Sequence, residues 1–192
     1  MKRILVVSAK GGVGRTTTTM LLASAFGRVG KSSGIIDFDP QGSATNWIRN
    51  CTKPIPGVEE YSKNGKYDLV WTDTQPIVNP PTKVRKSAEE ADIILVITSD
   101  SPMDLHATEL TLENLLTSPK LKKKARLLLT RVVQRTNLAK QIDQIVAGMD
   151  VQRIKPVIHF RNAYRVASIE GFSQLSKKAK DEVNAVAMTL IT

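Results

Sequence analysis

"SAKGGVGRTTTTM", residues Ser8 to Met20, follows the apolar run Ile4 to Val7 and leads into a helical stretch. Gly11, Gly12 and Gly14 fill three of four consecutive positions, so the backbone can fold tightly enough for several amide N–H groups to point at one anion. A helix starting immediately afterwards adds the partial positive charge of its N-terminus. Lys10 and Arg15 flank Val13 and the glycines with two cations, and Thr16 and Thr17 supply hydroxyls. The stretch therefore reads as a phosphate-holding loop between a strand and a helix. Tight strand–helix packing also selects glycine, so the loop needs support from elsewhere in the chain.

That support lies in the alternation of elements. Ile4 to Ser8, Gly34 to Asp37, Asp68 to Thr72, Ile93 to Thr98, Arg126 to Thr130 and Lys155 to Ile158 read as short buried strands. Helices are expected at Thr16 to Val29, Ser43 to Asn50, Thr82 to Ala91, Met103 to Leu116 and Leu138 to Ala147. A long amphipathic helix from Ser173 to Leu190 carries Val183, Val186, Ala187 and Leu190 on one stripe. Near-continuous apolar strands alternating with helices predict an α/β fold, a doubly wound and mostly parallel sheet with helices on both faces. No repeat or linker divides residues 1–192, so one domain is expected. Thr52 to Lys66, rich in Pro, Gly and mixed charge, is expected to be a surface loop.

Ligands of such sheets bind beyond the carboxyl ends of the strands. The second strand ends in Asp37-Phe38-Asp39-Pro40-Gln41, which puts two carboxylates at i and i+2 on one side. Two acids facing a phosphate loop point to magnesium and a positioned water. Asp39 before Pro40 could alternatively cap the next helix by itself. A further strand, Leu69-Val70-Trp71-Thr72, ends in Asp73. Each acid alone is a weak signal; three features at strand ends of one alternating chain are a strong one.

Composition narrows the classes. The single Cys51 excludes an intramolecular disulfide framework and a cysteine-held cluster, and sets a cytoplasmic location as the expectation. No apolar run approaches the ~20 residues of a membrane span. The net charge is +10, and Pro119 to Arg165 alone carries +10 within 47 residues. Charge confined in this way suggests a polyanionic partner, nucleic acid before an anionic membrane; a solvated basic face is the plainer alternative.

KGGVGRTT, IIDFDPQGS and YDLVWTD resemble the deviant Walker A, Walker A′ and Walker B motifs of the ParA/MinD ATPases, a P-loop NTPase family. The resemblance covers nearly the whole chain and is nearest to small ParF-like partition proteins and McdA-type positioning ATPases. It implies ATP/ADP and Mg2+ as ligands and a homodimer formed on ATP binding. In this resemblance Lys10 is the signature lysine that reaches the partner's phosphates, and Gly11, Gly12, Val13 and Gly14 form the cradle. Thr16 is the magnesium ligand, with Thr17 beside it, Asp37 is a magnesium-shell acid, Asp39 orients attacking water, and Asp73 is the Walker B aspartate. Thr98 to Asp104 resembles the loop flanking the nucleotide and dimer face. Thr130 and Arg131 lie at the strand end near the adenine.

The departure is Arg15, which stands where the family carries its P-loop lysine. A planar fork replaces a compact point charge. Arginine can still pair with phosphate oxygens, but catalysis of phosphoryl transfer is mostly positioning, so binding with slow or absent hydrolysis is expected. The resemblance also implies non-specific DNA binding by the ATP-bound dimer, a nucleoid-associated location, and a cargo adaptor (ParB/ParG-like or McdB-like) that stimulates hydrolysis. Arg161 and Arg165, and as a second patch Lys177, Lys178 and Lys180, are the expected DNA contacts. His159 reads as a packed residue because no partner acid lies nearby in sequence. Two rivals stand beside the switch: a non-hydrolysing ATP-gated DNA or protein scaffold, and a MinD-like membrane-associated ATPase. The last residues, Ala187 to Thr192, lack aromatics and lysines, so no membrane partner is expected.

Overall fold

The computed structural model describes residues 1–133, 144 and 146–191. Its strands are β1 (Lys2–Val7), β2 (Ser33–Asp37), β3 (Val58–Glu60), β4 (Leu69–Asp73), β5 (Ile93–Thr98), β6 (Ala125–Val132), β7 (Gln152–Arg153) and β8 (Ile158–His159). They form one sheet in the order β3-β2-β4-β1-β5-β6-β7, with β8 also paired to β6. Every described pairing is parallel. The chain crosses outward in both directions from β1, and the crevice at the carboxyl end of β1 is where such a sheet receives a ligand.

The strands are buried on both faces because their side chains alternate between two apolar cores. Ile4 and Val6 of β1 join the core under α1 (Arg15–Arg28), α2 (Ser43–Asn50), α6 (Asn162–Glu170) and α7 (Lys177–Ile191). Leu5 and Val7 join the opposite core, under α3 (Thr82–Glu90), α4 (Pro102–Leu115) and α5 (Pro119–Lys124). The stripe of Val183, Val186, Ala187 and Leu190 on α7 is buried, as its spacing predicts. Trp71, wholly buried in β4, satisfies its indole N–H on Ser33 Oγ at 3.2 Å.

The doubly wound architecture agrees with the expectation, and the differences are local. Val58–Glu60 of the Thr52 to Lys66 segment is not loop but the edge strand β3, and the segment is pressed onto α1. A Cβ on Gly27 would stand 1.8 Å from the Pro56 carbonyl oxygen, so only glycine permits this approach. Of the strand expected at Lys155 to Ile158 only Ile158 is in a strand, β8, while β7 lies before the segment. Arg161 and Arg165, expected as DNA contacts, stand at the start of α6, Arg161 immediately before its first residue and Arg165 in its first turn. The helix expected from Ser173 begins at Lys177, after a 3-10 turn at Phe172–Gln174. The helix expected at Leu138 to Ala147 falls largely outside the described residues.

Candidate nucleotide site

The loop after β1 turns through Gly12 and Gly14, whose φ values are +78° and +92°, a region that side chains resist. α1 begins directly afterwards, and no side chain caps the amides of its first turn. The glycines thus bring a free helix N-terminus over the carboxyl end of the sheet. Thr130, near the end of β6, fastens the loop by donating its hydroxyl to the Val13 carbonyl at 2.5 Å, with the Thr98 carbonyl also within reach at 3.1 Å.

Arg131 owes its direction to a β-bulge. Thr130 and Val132 pair with the consecutive residues Ile158 and His159, leaving Arg131 as the extra residue with φ +56°. Its guanidinium donates to the Gly12 carbonyl and lies over the Phe160 ring, 5.4 Å from the centroid. The bulge therefore closes one side of the phosphate loop.

Three strand-end residues meet at Arg15. This arginine is buried, and each of its nitrogens has a different partner. Nε donates to Asp73 at 3.3 Å, Nη1 to Ser8 Oγ at 2.8 Å, and Nη2 to Asp39 at 3.1 Å. Thr16 Oγ1 donates to the other oxygen of Asp73 at 2.7 Å. Burial pushes the Asp73 carboxyl up to about 6, while the Arg15 charge and the Thr16 hydroxyl pull it down. Arg15 thus lies between two acids inside the site.

Asp37 and Asp39 divide their duties. Asp37 accepts the amides of Asp39, Ala44 and Thr45, each at 3.0 Å, so Asp37 rather than Asp39 secures the start of α2. Asp39 takes the Gln41 amide at 3.0 Å on one oxygen and Arg15 on the other. Lys10 folds back onto Asp104 of α4 at 3.2 Å, and Asp104 also accepts from Ser99 Oγ at 2.6 Å.

The cleft beside the loop holds about 360 Å³ and is lined by Gly12, Gly14, Thr16 and Thr17 on one side and by Thr130, Arg131, Arg161 and Arg165 on the other. Gly11, Thr16, Asp39 and Gln41 line its continuation toward α2, about 500 Å³, and Arg15 borders both spaces. Arg161 is bonded to Glu182 of α7 at 2.8 Å, and Arg165 is exposed at the rim. Lys177 and Lys178 are exposed on α7, whereas Lys180 donates to the Ser173 carbonyl at 2.7 Å.

His159 does have an acid partner. Glu182 receives its ring Nδ1 at 2.7 Å and its backbone amide at 2.8 Å, together with the Tyr164 hydroxyl at 2.7 Å. Burial alone would raise the Glu182 carboxyl, but these donors and Arg161 hold it below the usual carboxylate range. Burial and the neighbouring Glu182 push the Tyr164 hydroxyl upward. Sequence separation hid this cluster. The available signal was an acid lying on the buried stripe of a helix, between Ala179 and Val183.

A glycine-turned phosphate loop, an uncapped helix start and acids at adjacent strand ends define a nucleotide-binding α/β domain. The chain belongs to the CobQ/CobB/MinD/ParA nucleotide-binding domain family, whose model matches residues 4–172. It is 27% identical over 212 residues to a maintenance of carboxysome distribution protein A from Halothiobacillus neapolitanus, covering 98% of this chain and 95% of that one. Its fold matches a plasmid partition protein from Borrelia burgdorferi bound to AMPPNP, with a TM-score of 0.74, 15% identity, and 99% and 98% of the two chains covered. It also matches pNOB8 ParA bound to nonspecific DNA, with a TM-score of 0.64, 17% identity, and 99% and 97% covered. ParA/MinD proteins are ATPases as a family.

Proposed function

We propose that this protein is an ATP-dependent dimerising switch that binds DNA without sequence preference and positions or segregates a cargo. One observation carries the reading: the phosphate loop, the Thr16–Asp73 pair and Asp39 converge beyond the carboxyl ends of β1, β4 and β2. Uncapped amides at the start of α1 suit a phosphate chain. The Thr16 hydroxyl and Asp73 carboxylate form a hard oxygen donor pair suited to magnesium, with Asp37 adding charge to its shell. The ion, when bound, neutralises charge on the phosphate oxygens. Asp39 orients the attacking water, and Lys10, now on Asp104, is the cation that reaches across an ATP dimer. Thr130 and Arg131 close the cleft on the base side.

The relatives' names support a positioning role, and the +10 segment supports a polyanion partner. In this reading the protein is cytoplasmic and joins the nucleoid through DNA, and a cargo adaptor stimulates hydrolysis. Among the described residues no helix is long and apolar enough to cross a membrane, and the terminal stripe is buried in the core. The buried stripe weighs against the membrane-associated alternative.

A non-hydrolysing ATP-gated scaffold is the second reading, favoured by the bond of Arg15 to Asp39. Steady-state ATPase rates with DNA and adaptor, for this chain and Arg15→Lys, separate the two. Slow turnover that rises in the lysine form fits the switch; none in the original and activity only in the lysine form fits the scaffold. A mobility-shift assay at low salt tests the DNA part, and no binding with ATP present sinks it.

A further inference from the structure

We propose that Arg15 is a phosphate-released latch on Asp39. In the nucleotide-free protein one guanidinium holds the segment after β2 against β4, and a triphosphate frees Asp39 by taking that guanidinium away. This rests on the nucleotide reading above and adds to it a coupling between occupancy and the availability of Asp39.

The geometry requires an arginine. Three nitrogens engage Ser8, Asp39 and Asp73, which lie on three different strand ends. A lysine has one nitrogen and lacks the rigid fork to span them. The contacts also differ in quality. The bond to Ser8 is 2.8 Å, but those to Asp39 and Asp73 are 3.1 and 3.3 Å, longer than the 2.7–2.9 Å typical of charge-assisted bonds. One guanidinium thus spans a hydroxyl and two carboxylates. The position matters as much, because Arg15 borders both the 360 Å³ cleft and the 500 Å³ space that contains Asp39. A phosphate chain running from one to the other must meet it. Among the described residues the other tie on the Asp39 carboxylate is the Gln41 amide, which stays when the arginine leaves.

Asp39 and phosphate then compete for one cation, which makes the latch measurable. The test compares the full chain with Arg15→Lys, Asp39→Asn and the double variant. Asparagine keeps the oxygen that accepts from Gln41 but removes the competing charge. Melting of the nucleotide-free proteins reports the pair itself, and titration with magnesium and a non-hydrolysable ATP analogue, or ADP, reports its release. With Arg15 present, Asp39→Asn should lower the melting temperature and tighten the analogue about tenfold, or about 1.4 kcal/mol. On the Arg15→Lys background both effects should fall, to about twofold or less in affinity and to no resolved change in melting. ADP, which lacks the outermost phosphate, should show a smaller gain than the analogue. Equal effects of Asp39→Asn on both backgrounds overturn the latch and leave the nucleotide site standing. Failure of all four folded proteins to bind analogue or ADP overturns the nucleotide reading, and the latch as a phosphate-released device falls with it.

Discussion

Two arginine–carboxylate clusters line the same cleft, and they are built in opposite senses. At the phosphate end one cation, Arg15, serves two acids, Asp39 and Asp73. At the other end one acid, Glu182, gathers Arg161, His159 and Tyr164. The second cluster is balanced in charge: a single half-buried carboxylate has a matching cation and further donors, although Arg161 Nε is buried without a hydrogen-bond partner among the described residues. The first is unbalanced, because ionising both acids leaves it one negative charge in excess. The excess negative charge marks the place where a further cation, such as one that accompanies a phosphate chain, can complete the site. The balanced cluster instead joins β8 and α6 to α7.

Removing the central group of each cluster tests that contrast. Arg15→Met leaves Asp73 buried with no cation and should cost about 3 kcal/mol at neutral pH in denaturant unfolding. The Asp73 carboxyl already lies raised at about 6, and losing Arg15 raises it further. A raised carboxyl contributes stability below its unfolded value and loses it as pH rises through the folded one. The deficit of Arg15→Met should therefore be larger at pH 8 than at pH 5. A deficit independent of pH would mean that Asp73 is not the group left exposed to the loss.

Glu182→Gln should cost less, about 2 kcal/mol at pH 7, because Arg161 keeps some access to water while the other donors lose a charged acceptor. Here the sign reverses. The Glu182 carboxyl is held low, so its contribution is present above the unfolded carboxylate value and disappears as pH falls through the folded one. The gap between the two proteins should close in acid. The same slope for Arg15→Met and Glu182→Gln would erase the distinction between the clusters.

The sequence carried the first cluster and concealed the second, for a physical reason. Gly11 to Thr17, Asp37, Asp39 and Asp73 lie where periodicity changes from strand to loop, so their positions relative to the sheet follow from local pattern. What pattern could not supply was the pairing. Nothing local says that Arg15 turns to Asp39 and Asp73, that Lys10 lies on Asp104, or that Asp37 is occupied with the α2 amides. Glu182 meets His159 across 23 residues through the packing of α7, a contact of tertiary origin. The Gly27 approach to Pro56 and the edge strand β3 were hidden in the same way.

Lys10 offers a smaller test, since its pair with Asp104 is partly open to water. Lys10→Ala should change monomer stability by a few tenths of a kcal/mol at most. It should nevertheless reduce ATP-dependent dimerisation measured by light scattering. A large stability loss with intact dimerisation would make Lys10 a structural residue, closer to Arg161 in kind than to Arg15.

The smallest effect on folding belongs to cations outside both clusters. Arg165, Lys177 and Lys178 are exposed and make no ion pair among the described residues. Their charge therefore adds little to the fold and is free for a polyanion. Replacing each by Ala should leave the melting temperature unresolved from that of the parent. Each loss should weaken DNA binding about equally across sequences and lower the slope of log affinity against log salt by about one per phosphate contact removed. Arg161→Ala should behave differently, because its guanidinium is bonded to Glu182. It should lower stability as well as DNA affinity, with the stability loss again closing in acid. If Arg161→Ala instead reproduces the Arg165 pattern, with reduced salt slope and unchanged melting, Glu182 gains nothing from its cation and the balanced cluster is held by His159 and Tyr164 alone.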